Sequence, residues 1–234
     1  MSILRLALAV LAVLWISSST SSALALKEGN TVVLKLREHS FRIPEQYSRE
    51  TAVPGWLSWL PGLDDGANEA LLVIPANEIG QAIRGYVEQD KNTHEDVLIL
   101  LAALSEHEVF RYKYPNRHRE LWYATGEYAE RVVEPVKGKP WFRIYRKPTL
   151  RSSWELVSQN PEQSKQIPPL SNYWMGSCFK STTSAKSLDN LEICKTYVVV
   201  ENLIIEFSVS QQNFHLLDQI KEYVTQRILS WQVK

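Results

Sequence analysis

Apolar residues recur at every second position in the first part of the chain. Val32, Leu34 and Leu36 lie two apart, and this period of two predicts a strand with one buried face. Residues 41–44 form a second short strand that stops at a proline. Residues 69–74 are a short apolar run of the kind found in buried strands. The early part of the chain is therefore predicted to be β-structure.

Two later segments carry mixed signals. Residues 77–89 have isoleucine or valine at every fourth position, which favours a helix, although Gly80 and Gly85 each lower helix propensity by about 1 kcal/mol. The apolar run 97–104 follows Thr93, which has an acidic residue three positions on, as at a helix N-terminus. We predict a short buried helix there, with a strand as the alternative because the run opens on a β-branched residue.

From residue 109 onward the pattern changes to short aromatic and β-branched segments separated by turn residues. Such a pattern predicts an antiparallel meander. Its predicted strands are residues 109–114, 121–125, 127–133, 140–146 and 153–157. Residues 158–170 contain three prolines and are predicted to form an exposed loop.

The end of the chain gives the clearest local predictions. Residues 194–200 and 203–209 are β-branched runs separated by the pair Glu201-Asn202, the pattern of a two-residue β-hairpin. An apolar stripe at spacings of three and four then predicts a helix over 213–231. The stripe consists of Phe214, Leu217, Ile220, Val224, Ile228 and Trp231. The fold class expected is α+β: one domain rich in antiparallel sheet, with a C-terminal amphipathic helix packed on the sheet.

The N-terminus has the pattern of a secretory signal. Arg5 is followed by an apolar run of 11 residues, 6–16, and then by a serine-rich stretch. That run is shorter than the ~20 residues that a membrane-spanning helix needs, and it fits the core of a signal peptide. Ala23-Leu24-Ala25 supplies a cleavage pattern, so we predict a signal peptide over 1–25 and a single domain over 26–234. An uncleaved N-terminal anchor is the alternative.

Charge argues against two classes of partner. The whole chain has 26 basic and 26 acidic residues, and loss of residues 1–25 would remove one base and no acid. A nucleic-acid-binding protein normally carries a basic excess, so no nucleic-acid partner is expected. Electrostatic attachment to a membrane is likewise not expected once the signal is removed. The chain also lacks an Asn-x-Ser/Thr sequon, which favours a bacterial source. Together with the signal pattern, this predicts a periplasmic or secreted location.

The two cysteines, Cys178 and Cys194, lie in segments that both have strand patterns. An even number of cysteines in an exported chain predicts a disulfide, and the two strands would bring the residues face to face. A metal site at this pair would need further ligands nearby, and the chain offers no histidine around them. A Cys178–Cys194 disulfide is therefore predicted.

Motifs for catalysis or metal binding are incomplete. Two His-Glu pairs, at residues 94 and 107, each lack the second histidine of a zinc-protease motif. His107, His118 and Glu120 would converge only if the predicted strands around residues 115–119 paired. No nucleophile elbow or phosphate-binding glycine loop occurs. The sequence therefore assigns no catalytic residue, no cofactor and no metal.

Tryptophans are numerous, and two of them have an unusual position. Trp122, Trp141, Trp154 and Trp231 follow the apolar pattern of predicted strands or of the last helix, which indicates core packing. Trp56 and Trp59 lie instead in a loop bounded by Pro-Gly pairs. That loop either caps the core or presents an aromatic anchor to a partner.

Together these features favour a non-enzymatic periplasmic binding or inhibitor protein with a protein partner in the cell envelope. An immunity-type protein that neutralises a toxin is one form of it. A cell-envelope hydrolase using His107 and His118 is the first alternative. An envelope assembly factor is the second.

Overall fold

The computed structural model describes residues 24–48, 69–88, 96–113, 115–180 and 192–233. These residues form two antiparallel sheets and four α-helices. The small sheet has the order β1-β2-β3 and the large sheet the order β4-β5-β11-β10-β9-β8-β7-β6. The strands are β1 Leu24–Glu28, β2 Thr31–Leu36, β3 His39–Pro44, β4 Glu69–Ile74, β5 Val97–Ala103, β6 Val132–Pro135, β7 Phe142–Tyr145, β8 Ser153–Val157, β9 Trp174–Lys180, β10 Glu192–Val200 and β11 Leu203–Ser210.

The helices are α1 Ala76–Ala82, α2 Glu106–Lys113, α3 Asn116–Tyr123 and α4 Leu217–Ser230. Short 3-10 turns lie at Glu45–Tyr47, Gly126–Tyr128, Leu170–Asn172 and Gln211–Leu216. None of the helices in the described part of the chain has the length and apolar character needed to cross a bilayer.

The main core lies between the large sheet, α4 and the small sheet. Ile220, Val224 and Ile228 of α4 are fully buried and share one apolar cluster with Phe41 of β3 and Phe207 of β11. The end of α4 is also joined to β3 by backbone bonds, since the Arg42 amide donates to the Trp231 carbonyl at 2.7 Å. The C-terminal helix therefore packs on the sheet, as the apolar stripe predicted.

A second layer, formed by α2 and α3, covers part of the opposite face of the large sheet. Leu121 and Trp122 of α3 are buried in one cluster with Tyr173 and Trp174. The α2 side chains pack against a separate cluster on β5 and β11 that includes Ala102. The fold is α+β, and the large sheet has helices on both faces.

The prediction of a helix over 97–104 was wrong, because this segment is strand β5. It lies inside the large sheet between β4 and β11, where both faces of the strand are covered and a continuous apolar run is required. Asp96 does not cap a helix that follows it. Its carboxylate accepts a hydrogen bond from the amide of Ala76, at the start of α1.

The predicted strands 109–114 and 121–125 were also wrong, because residues 109–113 belong to α2 and residues 121–123 to α3. Hydrogen bonds at the N-terminus of α2 favour a helix there. The Ser105 amide donates to the Glu108 carboxylate at 2.6 Å, and the Glu108 amide donates to the Ser105 hydroxyl at 3.3 Å, which is a capping box. Helix α3 begins after Pro115 and ends at Tyr123, and the next residue, Ala124, has a left-handed φ of 52°.

Most of the remaining elements were predicted correctly. β2, β3, β4 and β7 to β11 occur where the sequence placed strands, and Glu201-Asn202 forms the tight turn between β10 and β11. Three differences concern boundaries. Helix α1 ends at Ala82. The segment predicted as strand 127–133 is a 3-10 turn followed by β6. Helix α4 begins at Leu217, after the 3-10 turn Gln211–Leu216.

Candidate functional site

Four polar side chains form a row across the large sheet, on the face that carries α2 and α3. In the strand register Glu155 pairs with Ser177, Ser177 with Lys195, and Lys195 with Ser208. Directly paired residues of antiparallel strands share one face, so the four side chains lie side by side. We call these four residues the polar row.

The cysteines lie beside the polar row and belong to the opposite face. Cys178 pairs directly with Cys194, one position from Ser177 and Lys195. Their Sγ atoms are 2.06 Å apart, which is the distance of a disulfide bond. The covalent link therefore holds β9 and β10 in the register that builds the polar row.

Glu155 is the most completely enclosed member of the polar row. Its side chain is 3% exposed and accepts hydrogen bonds from Ser177 Oγ at 2.7 Å, Trp174 Nε1 at 2.9 Å and the Tyr128 hydroxyl at 3.2 Å. Arg117 of α3 donates a further, charged hydrogen bond. Burial by itself would raise the pKa of Glu155, but Arg117, His118 and the hydrogen bonds hold that pKa below its usual range.

Arg117 connects this buried carboxylate to the surface. Its side chain is 39% exposed, and its Nε donates to the Tyr128 hydroxyl at 3.1 Å. The guanidinium thus bonds two groups that lie below α3. It provides the countercharge for Glu155, which apolar packing of α3 alone would not supply.

His118, one residue further along α3, is enclosed by aromatic rings. It is 8% exposed and meets Tyr173 and Trp174 edge to face, with ring centroids 6.1 and 5.2 Å away. Its Nδ1 lies 3.3 Å from the Tyr173 hydroxyl. Burial lowers the pKa of His118 to about 4, so the ring is neutral at pH 7.

A second buried charge pair lies under α2. Lys195 and Glu206 are each 8% exposed. Burial raises the pKa of Glu206 to about 7, against the opposing effect of Lys195. Burial also lowers the pKa of Lys195, and Glu206 counteracts that shift. Tyr112 of α2 is part of the same environment, since burial and then Glu206 raise the pKa of its hydroxyl to about 12.

The groups of the polar row are suited to a structural role and not to catalysis. A carboxylate that already accepts four hydrogen bonds is a weak general base, because each donor stabilises its ionised form. The neutral ring of His118 contacts aromatic side chains and a tyrosine hydroxyl. The row joins α3 to the sheet, and so fixes which residues of α3 face outward.

The outward faces of α2 and α3 carry large side chains. Phe110 is 61% and Tyr123 is 45% exposed. On α3 the exposed positions 116, 119 and 123 alternate with the buried positions 118, 121 and 122, as in an amphipathic helix. We call Phe110, Arg111, Asn116, Arg119 and Tyr123 the outer α2–α3 surface.

The structure does not bring the sequence-based metal candidates together. His107 is exposed in the first turn of α2, whereas His118 is buried under α3. Glu120 faces the end of α3, where it accepts a hydrogen bond from the Glu127 amide at 3.2 Å. Within the described ranges, no group of three or more His, Cys, Asp or Glu side chains is arranged to hold a metal ion.

Trp56 and Trp59, the predicted partner anchors, lie outside the described residues. Trp122, Trp141, Trp154 and Trp231 are each at most 9% exposed and belong to the core, as their patterns predicted. Glu155, Lys195 and Glu206 were not predicted as site residues from the sequence. The available signal was a charged residue in the middle of an otherwise apolar strand. Such residues can be recognised as a group only when the register of β8, β10 and β11 is known.

Comparison with known proteins gives little further information. The sequence matches no protein-family model, and no curated protein is significantly similar to it. One solved structure matches over most of its length: Smlt3025, an immunity protein of the Stenotrophomonas maltophilia type IV secretion system. The identity is 13% and the TM-score 0.45, over 92% of this chain and 94% of that chain. At that level of similarity the comparison carries no functional argument.

Proposed function

We propose that this protein is an exported, non-enzymatic binding protein that acts on a protein partner in the cell envelope through the outer α2–α3 surface. The observation that supports this proposal is the exposure of Phe110 on α2 and Tyr123 on α3. Helix α3 is held to the sheet by the Arg117–Glu155 ion pair, and α2 by the Tyr197 hydroxyl, which donates to the Tyr112 carbonyl at 2.8 Å. Exposed aromatic side chains on a rigid element are typical of interface anchors.

The titratable groups fit a binding role better than a catalytic one. Glu155 is surrounded by donors, and His118 is buried against Tyr173 and Trp174. The hydrolase alternative depended on His107 and His118 acting together. These residues lie on different helices, one exposed and one buried, so no observation favours that alternative.

Export is supported by the Cys178–Cys194 link. Disulfides persist in oxidising compartments such as the periplasm, whereas cytosolic thiols are kept reduced. This agrees with the signal pattern of residues 1–25, of which residues 1–23 lie outside the described part of the chain. The predicted cleavage after Ala25 would fall within β1, leaving Leu26 as the first residue paired with β2.

An immunity-type role is one specific form of this proposal. A protein that neutralises a toxin by binding it needs a rigid scaffold and an exposed anchor, and it needs no catalytic group of its own. The proposed scaffold is the large sheet with α2 and α3. An assembly factor would have the same physical requirements, and the identity of the captured partner distinguishes the two.

The test is site-specific photocrosslinking in the native host. A photoreactive phenylalanine analogue replaces Tyr123 in one strain, and Leu150, which is 47% exposed on the β7–β8 connection, in the control strain. We expect a discrete protein adduct from position 123 and none from position 150. A third strain carries the analogue at position 59, to test the tryptophan loop. Adducts from position 59 alone would move the interface to that loop, and the absence of adducts from all three positions would contradict the proposal.

A further inference from the structure

We infer that helix α2 is a pH-sensitive flap that lifts from the large sheet more often as the pH rises toward neutral, because it covers the carboxyl group of Glu206. In the lifted form α2 leaves the sheet while the rest of the domain stays folded. Two features carry this inference: the position of Glu206 under α2, and the small number of contacts that hold α2 down. The flap goes beyond the proposed function and does not depend on which partner the protein binds.

Glu206 lies on β11, on the face of the large sheet that carries α2. It pairs directly with Tyr197 of β10, so the two side chains share that face. The Tyr197 hydroxyl donates to the Tyr112 carbonyl of α2 at 2.8 Å, and the rings of Tyr112 and Tyr197 meet edge to face with centroids 5.5 Å apart. Glu206 is 8% exposed, and the last turn of α2 contributes to that burial.

Helix α2 is held on the sheet by few apolar contacts. Among its side chains that the structure describes, residues 106–112, none is fully buried. The half-buried Val109 and Tyr112 pack on a small cluster formed by Ala102, Leu104 and Ile204. An element with so few buried contacts opens locally at a lower free energy than the core of the same protein. Helix α2 is therefore the element in this layer most easily displaced.

Helix α3 also covers a buried carboxyl group, but the charge of that group is fixed. Burial alone would raise the pKa of Glu155, yet Arg117, His118 and the hydrogen bonds hold that pKa below its usual range. Glu155 is therefore ionised throughout the range from pH 5 to pH 7. Helix α3 also buries Trp122, which is 1% exposed. It serves as an internal reference for α2.

The ionisable groups around Glu206 leave its own proton as the one that changes between pH 5 and pH 7. Burial raises the pKa of Glu206 to about 7, against the opposing effect of Lys195. Burial also raises the pKa of the Tyr112 and Tyr197 hydroxyls, which stay neutral. Glu69 of β4 acts on the Tyr112 hydroxyl and so faces the same region. An ionised Glu206 is better solvated once α2 has lifted, so loss of the proton favours the lifted form.

The ionisable groups in the first turn of α2 act in the opposite direction. His107 is exposed there, beside Glu106 and Glu108. Near a helix N-terminus a histidine cation is unfavourable and a carboxylate is favourable. Loss of protons from these three residues therefore stabilises α2 as the pH rises. An increase in lifting with pH would have to come from Glu206.

The test is amide hydrogen exchange of the whole folded protein at pH 5 and pH 7, with the disulfide intact. Exchange is expressed as protection factors, which removes the intrinsic effect of pH on the exchange rate. Wild type is compared with Glu206→Gln, which keeps a neutral side chain of the same shape under α2. The matched control is Glu130→Gln, which removes an exposed carboxyl group just before β6.

In wild type the protection of the α2 amides should fall about tenfold or more from pH 5 to pH 7. A shift of the Glu206 pKa from 4.5 to about 7 allows a change of at most about 40-fold over that range. The α3 amides should not lose protection, because burial lowers the pKa of His118 beneath them to about 4 and acid is what destabilises that site. In Glu206→Gln the protection of α2 should not fall with pH, and Glu130→Gln should behave as wild type does.

Three results would overturn the flap. Protection of α2 in wild type that is equal at the two pH values, or higher at pH 7, would show that Glu206 does not control lifting. An equal loss in α2 and α3 would show that the whole layer loosens together. A loss in Glu206→Gln as large as in wild type would assign the pH dependence to another group.

Discussion

Glu155 of β8 and Arg117 of α3 form an ion pair whose two members differ sharply in environment. The Glu155 side chain is 3% exposed, whereas the Arg117 side chain is 39% exposed. The pair therefore joins a charge inside the protein to a charge at its surface, and it connects the second helical layer to the large sheet. Its two ends are expected to respond differently to mutation.

Removal of Arg117 is predicted to be strongly destabilising. In Arg117→Met the buried carboxylate loses its countercharge, and the loss of a partner from a buried pair costs about 3–5 kcal/mol. Because Arg117 is itself partly exposed, we expect the lower end of that range in urea denaturation. The matched control is Arg151→Met, which breaks a pair with Glu134 whose members are 44% and 45% exposed. Such surface pairs contribute about 0–1 kcal/mol.

A second variant tests whether the unpaired, buried carboxylate of Glu155 is the cause of the lost stability. Arg117→Met/Glu155→Gln removes both charges, while the Gln oxygen remains as an acceptor for Ser177 and Trp174. This double variant is expected to be more stable than Arg117→Met alone. If the double variant is less stable than the single variant, the cost lies in lost packing of the Arg117 side chain and not in the unpaired carboxylate.

The sequence predicts the sheet and the C-terminal helix because each depends on a local pattern. Val32, Leu34 and Leu36 define β2 by their own alternation, and the Glu201-Asn202 turn fixes the pairing of β10 with β11. β5 could not be identified in this way. An apolar run of seven residues fits a helix or a strand equally well until its position between β4 and β11 is known.

The candidate site was harder to predict for a related reason. Glu155, Lys195 and Glu206 lie on three different strands, and only the register brings Glu155 and Lys195 into one row. His118 was named from sequence, but for a metal site that required strands where α2 and α3 occur. The capping box at Ser105 and Glu108 was present in the sequence and would have indicated α2.

His118 is predicted to make stability fall on the acid side. The pKa of His118 is about 4 in the folded protein and about 6.5 in an unfolded chain. Between these values the unfolded state binds the proton and the folded state does not, so the free energy of unfolding decreases as the pH falls from about 6.5 to 4. The full effect is about 3 kcal/mol, at about 1.4 kcal/mol per pKa unit.

The measurement for His118 is the difference in unfolding free energy between wild type and His118→Phe, taken from urea curves between pH 4 and pH 8. Phenylalanine keeps an aromatic ring next to Tyr173 and Trp174 but does not titrate. Above pH 7 this difference is expected not to change with pH. Below about pH 6.5 the unfolding free energy of wild type is expected to fall relative to that of His118→Phe. A difference that does not change with pH would contradict a buried, neutral His118.

Glu206 is predicted to have the opposite effect. Its pKa is raised from 4.5 to about 7 by burial, so between these values the folded state binds the proton and the unfolded state does not. The stabilisation is fully present below about pH 4.5 and is lost as the pH rises to about 7. Relative to Glu206→Gln, wild type should lose up to about 3 kcal/mol of stability over that range. A Gln variant with the same pH dependence as wild type would show that Lys195 keeps Glu206 ionised throughout.

Reduction of the Cys178–Cys194 link is expected to destabilise the fold by about 3 kcal/mol, from the chain entropy of a loop of this length. The comparison is the urea midpoint of wild type with and without reductant. Cys178→Ala/Cys194→Ala should show no dependence on reductant. If wild type responded no more than this variant does, the two thiols would not be linked in the purified protein.

Gly176 of β9 is predicted not to tolerate an added methyl group. A Cβ atom there would lie 2.6 Å from the backbone carbonyl oxygen of Lys195, a group that can move only if β9 and β10 separate. Gly176→Ala is expected to cost about 1–3 kcal/mol, as overpacking of a core does. Gly80→Ala is the matched control, because its Cβ would meet only the flexible carboxylate end of Glu88. In α1 that change should be neutral or gain up to about 1 kcal/mol of helix propensity. Equal urea midpoints for the two alanine variants would show that β9 and β10 can move apart at Lys195, and the polar row would then not be rigidly positioned.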